Sequence, residues 1–245
     1  MKKIYILHLY YDIANLSGDT GNIMAIKKAF EEQKVPFSID RLSLNDDINF
    51  DKYDLVYMGH MNYEVQELAR NNILKYKKVL LSNIEKGMYF IATGNSYELF
   101  GKTINGKKAL GLFNFNSKKV KEVISDEEIQ NFERLVSETI YTMKNFEYPI
   151  IGFVNHGNEN DNKENILFEV KKGFGNNTLS KIEGVHKYHF YGTYLLGPLL
   201  VRNPYFLDKI IRDLLSDRNI QFKEKDNLDK TAYKEYLRNF KISIK

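Results

Sequence analysis

The chain of 245 residues contains no cysteine, which excludes disulfides, thiolate metal sites and a cysteine nucleophile. Its 43% hydrophobic and 28% charged content is that of a globular protein and excludes a disordered tail. The net charge is +4 and 29 of the 36 cations are lysines scattered along the chain, so no nucleic-acid footprint is expected; no apolar run approaches the roughly 18 residues of a membrane span.

The opening Met1–Tyr10 has the basic pair and apolar stretch of a signal peptide. Asp12 and the polar residues 15–22 follow without a small-residue cleavage site, so a buried first strand over Ile4–Tyr10 and a cytosolic location are expected. A helical stripe of Ile23, Ala25, Ile26, Ala29 and Phe30 comes next, with Asp19 or Thr20 as its N-cap. Phe37–Leu42 and Leu55–Met58 read as strands, and Tyr63–Tyr76 as a helix with Val65, Leu68, Ala69, Ile73 and Leu74 on one side. Met88–Ala92 is a fourth strand, followed by a turn at Thr93–Ser96 and a short helix to Phe100. Alternation at this spacing predicts an α/β fold with a mainly parallel sheet and flanking helices. Ligands of such sheets bind beyond the carboxyl ends of the strands, here at residues 11–22, 59–63 and 93–97.

From Lys108 the pieces shorten. Ala109–Phe115, Ile150–Val154, Ile166–Val170 and His189–Tyr191 are expected as added antiparallel strands, with a helix near Asp126–Arg134 and a polar loop over Gly157–Asn165. Asn203 is placed to cap a helix running to Asp217 on Phe206, Leu207, Ile210, Ile211, Leu214 and Leu215. A last amphipathic helix over Leu228–Phe240 belongs to a C-terminal helical extension, residues 217–245, of one domain spanning 1–245.

Strand, sharp turn and helix at Tyr89–Gly101 are the layout of a nucleophile elbow, yet its tip is Gly94, which has no side chain to attack with. Ser96, two residues on, is the one alternative nucleophile at the turn, though a serine there also suits a helix cap. Gly18–Asn22 is neither a dinucleotide fingerprint nor a P-loop and reads as a turn before a helix. No spacing of His, Asp or Glu suggests a metal, and no cofactor is expected. His186 and His189 read as hydrogen-bonded structural histidines.

Several stretches together carry a family resemblance. These are His8-Leu9-Tyr10 with Asn15-Leu16-x-Gly18-Asp19-x-Gly21-Asn22, the elbow ending Tyr97-Glu98-Leu99-Phe100-Gly101, and Ala109-Leu110-Gly111-Leu112. Further on come Ile151-Gly152-Phe153-x-Asn155-His156-Gly157 and Gly192-Thr193-Tyr194-Leu195-x-Gly197-Pro198-Leu199-Leu200 with Asn203-Pro204. The chain resembles the cobyric-acid-synthase-like class I glutamine amidotransferases, and among them the glutaminase subunits of lipid II isoglutaminyl synthase. The resemblance implies a flavodoxin-like fold and, as partner, a Mur-ligase-like synthetase acting on a cell-wall precursor in a bacterium.

The same alignment puts the family cysteine at Gly94, its histidine base at Leu196 and its glycine-rich oxyanion loop at Gly59-His60-Met61-Asn62. Nucleophile, base and oxyanion donors are thus replaced in three separate segments, leaving a vestigial pocket of Gly59, His60, Gly94, Asn95, Ser96 and Leu196. Arg134 and His156 are candidate ligand contacts, or else a surface cation and a turn histidine. The implied function is a glutaminase-like scaffold or binding subunit without glutaminase activity. The alternatives are a hydrolase with a relocated nucleophile at Ser96 and a small-molecule binder using a cleft left open and apolar by Gly94 and Leu196.

Overall fold

A computed structural model describes residues 2–239 apart from 121–122, 125–128 and 131–133. Its centre is a six-stranded sheet. Strands β1 (Ile4–Leu9), β2 (Phe37–Leu42), β3 (Leu55–Met58) and β4 (Tyr89–Thr93) fall where the hydrophobic pattern predicts them. With the last two strands of the chain they stand in the order β15-β16-β4-β3-β1-β2. β16 (Phe190–Thr193) runs parallel to β4, and only the hairpin strand β15 (Val185–Lys187) is antiparallel. Every residue of β3, β4 and β16 is buried, as expected for parallel strands covered on both faces. His189–Tyr191 therefore belongs to the parallel core and is not an added antiparallel piece.

Helix α1 (Thr20–Gln33) crosses from β1 to β2 and buries Ile23, Ile26 and Phe30. Two helices join β3 to β4: α2 (Tyr63–Ile73) and, after a short 3₁₀ turn, α3 (Lys77–Lys86). The second was missed because only Leu80 and Ile84 of it are buried, too sparse a stripe to read as a helix. It ends at Gly87, whose φ of +112° supplies the left-handed cap. On α2 the expected face is rotated: Leu68 is exposed, and Gln66 is buried in its place.

The middle of the chain folds into smaller sheets. β10 (Leu135–Thr142), β11 (Ile150–His156), β13 (Phe168–Lys172) and β14 (Ile182–Glu183) make one, antiparallel in the order β11-β10-β13-β14. A second, in the order β12-β7-β5-β6, combines β5 (Thr103–Ile104), β6 (Lys107–Lys108), β7 (Asn116–Lys119) and β12 (Asn158–Asn160). The expected polar loop over Gly157–Asn165 thus contains a strand, and Asn158, Asn160 and Asn162 are buried. The strand expected over Ile166–Val170 begins two residues later. Ala109–Phe115 is not a strand; its amides close back on the carbonyls of Leu99, Phe100 and Gly101, wrapping the end of the elbow segment. The helix expected near Asp126–Arg134 lies largely outside the described residues, and within it Ile129–Gln130 (β9) is extended and pairs with Val123–Ile124 (β8).

After β16 come α4 (Leu199–Arg202) and α5 (Pro204–Asp217), whose predicted apolar stripe is buried throughout. α6 (Leu228–Asn239) packs Tyr233 and Leu237 on Ile151, beside Tyr148 and Tyr205, whose rings stack 3.6 Å apart.

Two expected caps are used otherwise. Asp19 makes no side-chain cap, and Asn15 Oδ1 instead accepts from Thr20 N at 2.8 Å. Asn203 turns its amide onto the outer edge of β11, accepting from Ile151 N and donating to Ile151 O, both at 2.8 Å. A buried strand edge needs such a partner, because no water reaches it. Asn203→Ala leaves both groups of Ile151 unmet and should cost roughly 2–4 kcal/mol in chemical denaturation, two buried polar groups at the usual penalty each.

Candidate functional site

The three loops picked from the sheet topology converge at the carboxyl ends of β1, β3 and β4. A buried carboxylate joins them. Asp19 accepts from the Tyr57 hydroxyl at 2.7 Å, the Thr93 hydroxyl at 3.1 Å and the Ser17 amide at 3.1 Å, and also from the His60 amide. Tyr57 further accepts from Asn22 Nδ2 at 2.6 Å, and Asn22 Oδ1 takes the amide of Leu200 at 2.7 Å. The approach depends on Gly59, where a Cβ would fall 2.5 Å from Asp19 and 2.3 Å from the Ala14 carbonyl. Burial raises the Asp19 carboxyl above its ordinary range, and its four hydrogen bonds oppose that rise.

Gly94 stands at the tip after β4, buried, with φ +62° and its amide on the Leu195 carbonyl. The left-handed elbow backbone is therefore present without a side chain at its tip. The space above it is occupied: a Cβ at Gly94 would lie 2.7 Å from His60 Cβ and 2.8 Å from its ring carbons. His60 fills the volume that an elbow side chain would take. The cleft expected to stand open is closed at this point.

His60 Nδ1 is hydrogen-bonded to Ser17 Oγ at 2.7 Å. Burial, then the Arg134 cation, push its pKa down to about 4, so the ring is neutral at pH 7. Asn95 Oδ1 accepts from the Met61 amide at 3.1 Å, tying the third loop to the second. Ser96 is fully buried, and its hydroxyl donates to the carbonyls of Thr93 (2.9 Å) and Met58 (3.1 Å). It locks the turn and has no base beside it. Leu196 is half-buried, with its amide on the Phe153 carbonyl.

Behind the elbow lies a buried polar layer. His156 stacks on Tyr194 at 3.8 Å, with Nδ1 on the Asn158 carbonyl, and burial lowers it to about 4. Glu98 Oε2 accepts from Gln66 Nε2 (2.9 Å) and Asn158 Nδ2 (2.8 Å); burial still pushes its carboxyl up to about 7. Arg134 is exposed on the Asn155 side chain and carbonyl, 6.0 Å from the Tyr63 ring centre. Arg134, Tyr63 and Asn158 line a cavity of about 560 Å³ together with Arg70, Lys107 and Lys119. Of the two candidate contacts, Arg134 thus faces open space and His156 is packed inside.

No group of three or more His, Asp or Glu side chains that could hold a metal occurs among the described residues. His186 and His189 bond the carbonyls of Phe190 and Ile84, both at 3.0 Å and far from the elbow.

No family model matches the chain. It is 30% identical over 245 residues to the GatD subunit of the glutamine-hydrolysing lipid II isoglutaminyl synthase of Staphylococcus aureus N315, covering 97% of this chain and 96% of that protein. The chain belongs to the GatD family. The corresponding Streptococcus pneumoniae R6 subunit is 26% identical over 226 residues, 88% of this chain and 82% of that one. Among solved structures, a Thermotoga maritima glutamine amidotransferase superposes with a TM-score of 0.52 at 16% identity, over 98% of this chain and 93% of that one. The glutaminase domain of Trypanosoma brucei CTPS, solved with bound acivicin, gives 0.51 at 10% identity, over 94% and 99%. These two show the amidotransferase fold.

Within the GatD fold the sequence reading found the elbow and Gly94 at its tip, and it overlooked Ser17 and Tyr57. Tyr57 left a faint signal as the one hydroxyl in the buried run Leu55–Met58. Ser17 left none, being the variable position of its loop motif.

Two outcomes are expected. Gly94→Cys should lower unfolding free energy by roughly 2–4 kcal/mol, from overpacking against His60 and a side chain at positive φ; Gly94→Cys with His60→Gly should recover part of the loss in denaturant titrations. Glu98 has a folded pKa above its unfolded one, so its contribution is present at low pH and lost as pH rises through about 7. Glu98→Gln keeps an acceptor for Gln66 and Asn158, and should be close to neutral at pH 5 yet stabilise by roughly 1–3 kcal/mol at pH 8.

Proposed function

We propose that this GatD-family chain is a subunit without glutamine hydrolysis that supports a Mur-ligase-like synthetase in amidating a cell-wall precursor. One observation carries the reading: the elbow tip is Gly94 at φ +62° and His60 occupies the space above it, in a chain without any cysteine. Thiol-dependent hydrolysis needs a nucleophile, a base and oxyanion donors in register. Here the first is replaced by hydrogen and the second, at Leu196, by an aliphatic side chain. A scaffold role is supported by the three loops around the elbow, which are tied together through Asp19.

Support for the partnership comes from the relatives, both named as subunits of a glutamine-hydrolysing synthase. A synthetase paired with this chain would draw its nitrogen from free ammonia. No helix among the described residues is long and apolar enough to cross a membrane, which fits work beside a cytoplasmic synthetase.

The test is a glutamate-release assay on the purified chain, alone and with a Mur-ligase-like synthetase. The expected result is no glutamate above buffer background, co-elution of the two chains, and amidation supported by ammonium but not by glutamine. Glutamate release at roughly 1 s⁻¹ or faster, an ordinary enzymatic rate, would overturn it.

A further inference from the structure

The loss at Gly94 and the histidine at position 60 are complementary. Only a residue without Cβ admits the His60 ring, and the ring so placed brings Nδ1 to 2.7 Å from the Ser17 hydroxyl. We propose that Ser17 and His60 form a relocated nucleophile–base dyad at the rim of the vestigial site, able to cleave esters of short apolar acyl groups.

Four features support the assignment. Ser17 is only partly buried and its neighbour Gly18 is exposed, so reagent can reach the hydroxyl, unlike that of Ser96. His60 is held from both ends: its carbonyl accepts from Leu16 N at 3.0 Å, and its amide bonds Asp19. Asp19 also takes the Ser17 amide, so one carboxylate fixes the two loops that carry the pair. The amide of exposed Gly18, directly after the nucleophile, has no acceptor among the described residues and is open to an oxyanion.

The surroundings suggest the acyl group. Exposed Leu16 precedes Ser17, and half-buried Leu196 precedes Gly197, where a Cβ would fall 2.7 Å from the Ser17 carbonyl. In the reaction Ser17 Oγ attacks the ester carbonyl carbon as His60 Nδ1 takes its proton. The tetrahedral centre collapses, the C–O bond to the alcohol breaks, and His60 returns the proton to that alcohol. Water then attacks the acyl-serine by the same route, releasing the acid and restoring Ser17.

The experiment uses the full chain with a fluorophosphonate probe and with p-nitrophenyl butyrate, read by intact mass, peptide mapping and nitrophenol release. A single adduct on Ser17 is expected. It should be absent in Ser17→Ala and form roughly 10-fold more slowly in His60→Gln, less than the usual share of a general base because burial lowers the basicity of the ring. Because His60→Gln can loosen the elbow, Ser17→Cys provides the control: the thiol it introduces, the only one in that variant, should react with DTNB at the rate of an accessible cysteine. No adduct on the wild-type chain, an adduct that survives Ser17→Ala, or a Ser17→Cys variant whose thiol is closed to DTNB would each overturn the dyad. Neither glutamine nor a partner chain enters these measurements, so their outcome is separate from that of the glutamate-release assay.

Discussion

The carboxylate of Asp19 is the constraint on which the site depends. It lies buried where three strands end, and it joins the loop after β1 to Tyr57 near the end of β3 and Thr93 at the end of β4. A buried carboxylate is tolerated only when its lone pairs are met, and here four donors meet them. The geometry is demanding. Gly59 must lack a side chain for Asp19 to enter, and Gly21 must lack one for Pro198 to pass, since a Cβ there would sit 2.9 Å from the proline. Keeping this arrangement keeps the shape of the pocket whatever chemistry the pocket performs.

That separation frees the loop frame from the residues at the elbow tip and at position 196. The groups that position the loops are Asp19, Tyr57, Thr93, Asn22 and Asn95, and neither Gly94 nor Leu196 is among them. Both can be exchanged while the hydrogen-bond frame stays whole. The polar layer behind the elbow shows the same division: Gln66 and Asn158 both donate to Glu98 Oε2 and hold α2 against β12.

The central sheet was legible because parallel strands buried on both faces are continuous apolar runs such as Ile4–Leu9 and Tyr89–Thr93. So was α5, whose six apolar positions make a full stripe. Helix α3 was not, because it covers the sheet with two side chains only. The strand Asn158–Asn160 was read as loop for a related reason: its asparagines are buried by bonding other buried polar groups, as Asn160 does with Tyr97 and Asn158 with Glu98. Polar residues that satisfy each other inside a core look like surface in a one-dimensional reading. At the site, the bare tip at Gly94 was visible and the packing of His60 over it was not, since nothing along the chain shows that position 60 stands over position 94.

This packing also sets the direction of change. A side chain at φ +62° carries strain of about 1–2 kcal/mol, which an active elbow bears for the sake of its nucleophile. Glycine removes that strain, and a ring in the vacated space restores packing that a void would forfeit. The pair Gly94 and His60 is thus favoured over a side chain at the elbow tip on stability alone. Once both are in place, neither returns singly without cost: a cysteine at 94 collides with the ring, and a small residue at 60 opens a hole above the glycine. Backbone conformation and packing reinforce each other here, and any chemistry at this end of the sheet has to be built on the side chains that this pair brings together.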